Sequence, residues 1–197
     1  MVEYINVSAP SVSGAILGSS TQFYAWQPST WPEAPKSWTP ELATTVRRIM
    51  DESILNEISN VIDDAKGNLE HRGFVVAIAL MCALDAISSY GYGAQSGNQI
   101  PTFVQAHFGQ EYRPHASALL QLYRHFLVHS WSLPKAAIKP GRDPIVKDNG
   151  VLSFGLLHFR EALFQATEDF VKKLETNEGL QAMTLQRYRN IKKDAIG

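Results

Sequence analysis

Arg124 and His129 are the two residues whose types and spacing could do chemistry together. They lie in Leu119-Leu-Gln-Leu-Tyr-Arg-His-Phe-Leu-Val-His-Ser-Trp131, with four residues between them. Arginine is a permanent cation with a five-donor fork, and histidine titrates near neutrality. Together they could hold a phosphate and move its protons without a metal. The same two residues could also be one buried, ion-paired arginine and one satisfied core histidine. The spacing alone is a weak signal: the chain has nine arginines and six histidines, and roughly one such match is expected by chance. An ideal helix sets positions five apart at about 140° around its axis. The pair therefore meets only if the helix ends or distorts near His129, or if a second subunit completes the site. Pro134 permits an ending there.

Other residues offer weaker chemistry. His125 and His129 are four apart and would share a helix face. With His158 and Glu161, three apart on a later helix, they could form a metal site in a bundle core. The plainer reading puts one histidine inward and one toward solvent, and no metal is expected. Asp85 sits in a very apolar helix-like stretch. A carboxylate there needs a donor or a cation. A hydroxyl or a backbone donor would serve; Arg124 would serve better, because each charge is costly to bury alone. Nucleophilic chemistry finds no support. There is no Gly-x-Ser-x-Gly, and Cys82 lies among apolar neighbours, where a small buried hydrophobe is expected. Gly91-Tyr-Gly-Ala is too short for a phosphate-binding loop and lacks the Lys-Ser/Thr ending. No cofactor is expected.

The charge distribution favours an anionic partner near the Arg/His pair. The net charge of the whole chain is only −1. Residues 41–90, however, carry a net −4, whereas residues 91–142 carry a net +4. The bases of the second segment are Arg113, Arg124, Lys135, Lys139 and Arg142. An anion would prefer that segment, although it could equally pack on the acidic one. The single cysteine excludes an intrachain disulfide and suits a reducing, cytoplasmic setting. No basic n-region precedes an apolar h-region, so no secretory signal is expected. The longest apolar run, Phe74 to Leu84, is too short to span a bilayer, and no membrane partner is expected.

The elements that must position these residues are mostly helical. Residues 1–38 read as an irregular arm with Pro10, Pro28, Pro32 and Pro35 and with Trp26, Trp31 and Trp38. The tryptophans predict that it lies across the main domain or a neighbouring subunit. Residues 39–197 read as a single helical domain. Thr39 can cap the first helix, Pro40 suits its first position, and Glu41 favours its positive end. Apolar residues from Leu42 to Ala65 recur at three- and four-residue steps, which predicts one amphipathic helix. Residues 69–90 are apolar almost all round and should form a central helix. Pro101 opens a short helix that ends near Gly109, and a longer one spans about 115–131. Lys135 to Arg142 reads as a loop. Short apolar alternation on both sides of Asp148-Asn149-Gly150 predicts a hairpin over residues 144–154. Two more helices follow, about 156–174 and 179–194. In the last, Leu180, Met183, Tyr188 and Ile191 are expected inward. Arg187, Arg189, Lys192 and Lys193 are expected on a solvated face.

This order of elements resembles the HEPN superfamily, in particular an HEPN-like group of uncharacterised bacterial proteins. The resemblance spans about residues 40–175. It rests on the long first helix, on Ala79-Leu-Met-Cys-Ala-Leu-Asp-Ala-Ile87, on Leu122-Tyr-Arg-His-Phe-Leu-Val-His129, on the hairpin and on the closing helix. The superfamily motif is an arginine and a histidine four to six residues further on, often with a polar residue directly after the arginine. His125 fills that place. The resemblance implies an all-α, HEPN-like bundle with one hairpin. It implies a metal-independent endoribonuclease acting as a homodimer, with Arg124 and His129 catalytic and His125 and Asp85 supporting. Arg113 and Lys135 are then the candidates for contacts along the RNA. It equally implies a non-catalytic scaffold, or a partner of a nucleotidyltransferase-type protein, because many members are of that kind.

Overall fold

A computed structural model describes residues 31–65, 67–93, 98–121 and 135–196. The first helix begins where the local signals place it. Thr39 Oγ1 accepts the Leu42 amide at 3.2 Å, and α1 runs Pro40–Arg48. It then passes through a π-helical segment, Ile49–Leu55, into α2, Asn56–Ala65. The sequence predicts one continuous α-helix here. The reason for the difference is the buried stripe Leu42, Val46, Met50, Ile54, Ile58, Ile62, which steps by four. An α-helix rotates such a stripe by about 40° at each step. Wider turns in the middle take back part of that drift and keep the stripe on the core.

Helix α3, Leu69–Tyr92, is the longest among the described residues. Its buried face includes Val76, Leu80, Met81, Leu84 and Ile87. It is not buried all round, contrary to expectation. Phe74 is 41% exposed, Val75 is 53% exposed, and Cys82 is exposed rather than buried. By length and composition α3 could cross a bilayer, but 56% of its most apolar window is buried inside this fold. At its end Gly91 lets the Phe170 ring approach the backbone; a Cβ there would lie 2.5 Å from Phe170 Cε2. Helix α4, Gln99–His107, packs against α3. A 3-10 turn, Arg113–His115, leads into the short α5, Ala116–Ala118.

The hairpin forms where Asn149-Gly150 predicts it. Strand β2, Val146–Asp148, pairs antiparallel with β3, Val151–Gly155, in the register Asp148↔Val151. Asn149 has φ 47° and Gly150 φ 81°, the left-handed pair that a two-residue hairpin turn requires. A third strand corrects the expected loop at 135–142: β1, Ala136–Lys139, pairs parallel with β3, giving the order β1-β3-β2. Alanine-rich β1 has little strand propensity of its own. It is a strand because the open edge of β3 offers its backbone partners. The fold is therefore mainly helical with a small three-stranded sheet.

Helix α6, Leu156–Leu174, follows directly from β3, and α7, Glu178–Ile196, closes the described chain. Two expectations for α7 are corrected. Met183 is 42% exposed, while the inward face runs through Leu180, Thr184, Leu185, Tyr188 and Lys192. Three of the four bases expected in solvent donate inward instead. Arg187 Nε reaches Ser89 Oγ at 3.2 Å, Arg189 reaches the Pro35 carbonyl at 2.6 Å, and buried Lys192 reaches the Trp31 carbonyl. The physical reason is the irregular segment 31–38, whose carbonyls have no helix or sheet partner and need donors. Trp31 stacks on Tyr188 at 5.4 Å, and the Tyr188 hydroxyl donates to the Pro32 carbonyl at 2.7 Å. This part of the arm lies on the domain, as its tryptophans suggest.

Candidate functional site

Arg124, His125 and His129 lie outside the described residues, and so does the expected Asp85–Arg124 pair. The structure does place the other candidate residues. Asp85 is half-buried on α3, and its Oδ1 accepts from Gln99 Nε2 at 2.9 Å. Gln99, at the start of α4, is 6% exposed. A buried carboxamide therefore supplies one of the donors that the sequence demands for Asp85. The expected RNA contacts part company. Arg113 is half-buried and its Nε donates to the Phe108 carbonyl at 3.0 Å, which ties down the turn after α4. Lys135 lines a cleft of about 370 Å³ with His115, Lys147 and Leu152.

Two other bases of the 91–142 segment, Lys139 and Arg142, are taken up by acids. Lys139 Nζ lies 3.5 Å from Asp143, and Arg142 pairs with Glu161. Among the described residues, Lys135 and Lys147 have no such acid. The ionisable side chains described in that cleft are all potential cations. Burial, followed by the nearby Lys147 charge, holds His115 below the ordinary histidine pKa. His115 is therefore largely neutral near pH 7, with one ring N–H to donate.

A second network escapes sequence reasoning. His107, the last residue of α4, has a fully buried side chain. Its Nδ1 lies 2.7 Å from Asp169 Oδ2, and its Nε2 lies 2.9 Å from the Tyr92 hydroxyl. Lys173 lies 2.8 Å from Asp169 and donates to the Ala106 carbonyl at 2.9 Å. The carboxylate fixes the Nδ1 proton, which leaves Nε2 to accept from Tyr92. Burial pushes His107 down and outweighs the Asp169 hydrogen bond. Burial also pushes the Tyr92 phenol up. Asp169 is held low because hydrogen bonds from Lys173 and His107 outweigh its own partial burial. The result is a neutral histidine joining the ends of α3 and α4 to α6, boxed by Phe103 and Phe170 at 4.8 and 5.4 Å. Its likeness to a catalytic triad is formal, since Tyr92 keeps its proton and its oxygen is a poor nucleophile in that state. Only the four-residue step from Asp169 to Lys173 was visible beforehand.

Two of the four residues considered for a metal are engaged elsewhere. His158 Nδ1 lies 2.7 Å from the buried Tyr112 hydroxyl, and Glu161 pairs with Arg142. Among the described residues, no group of three or more His, Cys, Asp or Glu is placed to hold a metal. A larger cleft of about 630 Å³ lies between the π-helical segment and α6. Its acids are neutralised: Arg47 pairs with Asp51 and Glu168 at 3.4 and 2.8 Å, and Lys173 pairs with Asp169. No known family profile, curated protein or solved structure matches this chain.

Proposed function

We propose that this protein is a metal-independent endoribonuclease of HEPN type, working in the cytoplasm as a homodimer, with Arg124 and His129 as its catalytic pair. The observation that carries this reading is a cationic cleft lined from both ends of the segment that holds the pair. Residues on both flanks of the 122–134 segment, His115 and Ala118 before it and Lys135 after it, line that one cleft. The element order on which the resemblance rests also supports it, from the helical run 40–65 through α3 to the hairpin and α6.

The chemistry needs little. His129 takes the proton of a ribose 2′-OH, and the oxygen attacks the adjacent phosphorus. The bond to the 5′-oxygen breaks, and that oxygen takes a proton from water, to which His129 returns the one it took. The products are a 2′,3′-cyclic phosphate and a 5′-hydroxyl. Arg124 stabilises the charge that gathers on the phosphoryl oxygens, and His125 supports it. The test is RNA cleavage in EDTA. RNA should be cut and DNA of the same sequence spared. His129→Ala and Arg124→Ala should each lose about 10²–10⁴-fold in rate, and the double variant should be little worse, because the two act as a unit. Intact RNA with the wild-type protein, or cutting that survives His129→Ala, overturns the reading.

One observation favours a second reading, a non-catalytic module that pairs with a second copy. Phe74, Val75, Ile78, Ala79, Cys82 and Ala86 recur at three- and four-residue steps along α3. Phe74, Val75 and Cys82 of that face are exposed. Apolar helix faces of this kind mark interaction sites.

A further inference from the structure

We propose that the cleft between Lys135 and Lys147 is a phosphate-binding site, with His115 as its third donor. The proposal rests on the ribonuclease reading only for the identity of the polymer; the site itself follows from the sheet. Lys147 is the cross-strand partner of Leu152. On the other side of β3, the Leu152 amide donates to the Lys135 carbonyl at 3.0 Å. Lys147 therefore stands level with Leu152 on one side, and Lys135 immediately precedes Ala136, the residue level with Leu152 on the other. Adjacent strands lie about 4.8 Å apart, so the backbones of β1 and β2 are roughly 10 Å apart. Four-carbon stems can close that distance onto one tetrahedral anion.

The register fixes the face that Lys147 takes. Cross-strand partners point to the same face, and a slip of one residue would send Lys147 to the other side. The two-residue turn at Asn149-Gly150 prevents the slip. Leu152, 2% exposed, gives the cleft an apolar floor, and low polarity there strengthens attraction to an anion. Lys135 has φ 57°, a backbone conformation that L side chains rarely adopt and that is often retained at binding sites. The contrast with Lys139 and Arg142 is informative. Those neighbours have acidic partners. Among the described residues Lys135 and Lys147 have none, so two lysines line one cleft with a histidine as its other described ionisable group. A phosphate would supply the missing counter-charge and accept hydrogen bonds from all three.

The phosphate could be part of an RNA backbone or of a small phosphorylated molecule. Binding is measured with the full chain carrying His129→Ala, so that cutting cannot mask it. The probes are a 12-nucleotide RNA, AMP and inorganic phosphate. Lys135→Asn, whose new side chain tolerates the backbone conformation, and Lys147→Gln should each weaken binding about tenfold. For the RNA, each should lower the salt slope by about 1. Lys139→Gln, on the same sheet, should change neither. Thermal melting checks that all three variants are folded. Binding of AMP or phosphate with the same lysine dependence identifies a free phosphoryl ligand. Binding of the RNA alone identifies a polymer backbone. The proposal is overturned if none of the three probes binds, or if Lys135→Asn and Lys147→Gln bind them as tightly as Lys139→Gln does. Lysine-dependent binding by a wild-type protein that cuts no RNA would remove the cleavage reading and leave the site standing.

Discussion

His107 Nδ1 lies 2.7 Å from Asp169 Oδ2, although 62 positions separate the two residues in sequence. The contact ties α4 to α6 through a buried ring, and Tyr92 adds α3 on the other ring nitrogen. A protonated His107 could no longer accept the Tyr92 proton.

That arrangement predicts acid sensitivity. Folding lowers the His107 pKa from its ordinary 6.5. The unfolded chain then binds the proton more readily, and stability falls as pH drops below that value. Asp169, also lowered, acts in the same direction at more acidic pH. The melting temperature should drop between pH 7 and pH 5, and His107→Gln should flatten that slope. An equal slope in the variant would mean that other groups carry the effect. At pH 7, His107→Ala should cost about 2–4 kcal/mol in chemical denaturation, from lost packing and two orphaned polar groups.

Gly91→Ala should destabilise the protein even though alanine is the better helix former by about 1 kcal/mol. The added Cβ would meet the Phe170 ring, which is fully buried and cannot swing aside. Overpacking of this kind costs about 1–3 kcal/mol. Urea midpoints of the two proteins measure the balance, and a stabilised variant would show that α6 yields easily.

Gly150→Ala should cost about 1–2 kcal/mol, because φ 81° is unfavourable for a residue with a Cβ. There is open space around that position, so the cost is backbone strain alone. Gly150→Asn, which tolerates left-handed backbone better, should recover part of it. Equal melting temperatures for the alanine and asparagine variants would contradict this account.

The α3 face predicts the oligomeric state. The wild-type chain should scatter light as a dimer at micromolar concentration and near-physiological salt. Val75→Glu, at a residue 53% exposed, should leave the fold intact and shift the mass toward that of the monomer. A wild-type monomer under those conditions, or a dimer indifferent to Val75→Glu, counts against this interface.

The sequence by itself determined the features whose causes are local. Thr39, Pro40 and Glu41 start α1 because cap, ring and charge act within one turn. Asn149-Gly150 turns the hairpin because those two residues accept positive φ at little cost. Long apolar periods placed α3 and α6 for the same reason. Tertiary structure decided whatever depends on a distant neighbour. Segment β1 is a strand because β3 has an open edge. Lys192 is buried because the Trp31 carbonyl needs a donor 161 positions away. Cys82 is exposed because only one side of an apolar helix meets the core. Lys135 and Lys147 share a cleft because the strand order, not spacing along the chain, brings the start of β1 and strand β2 to opposite sides of β3. Periodicity states that a residue has a face, but the partner across the fold decides what that face meets.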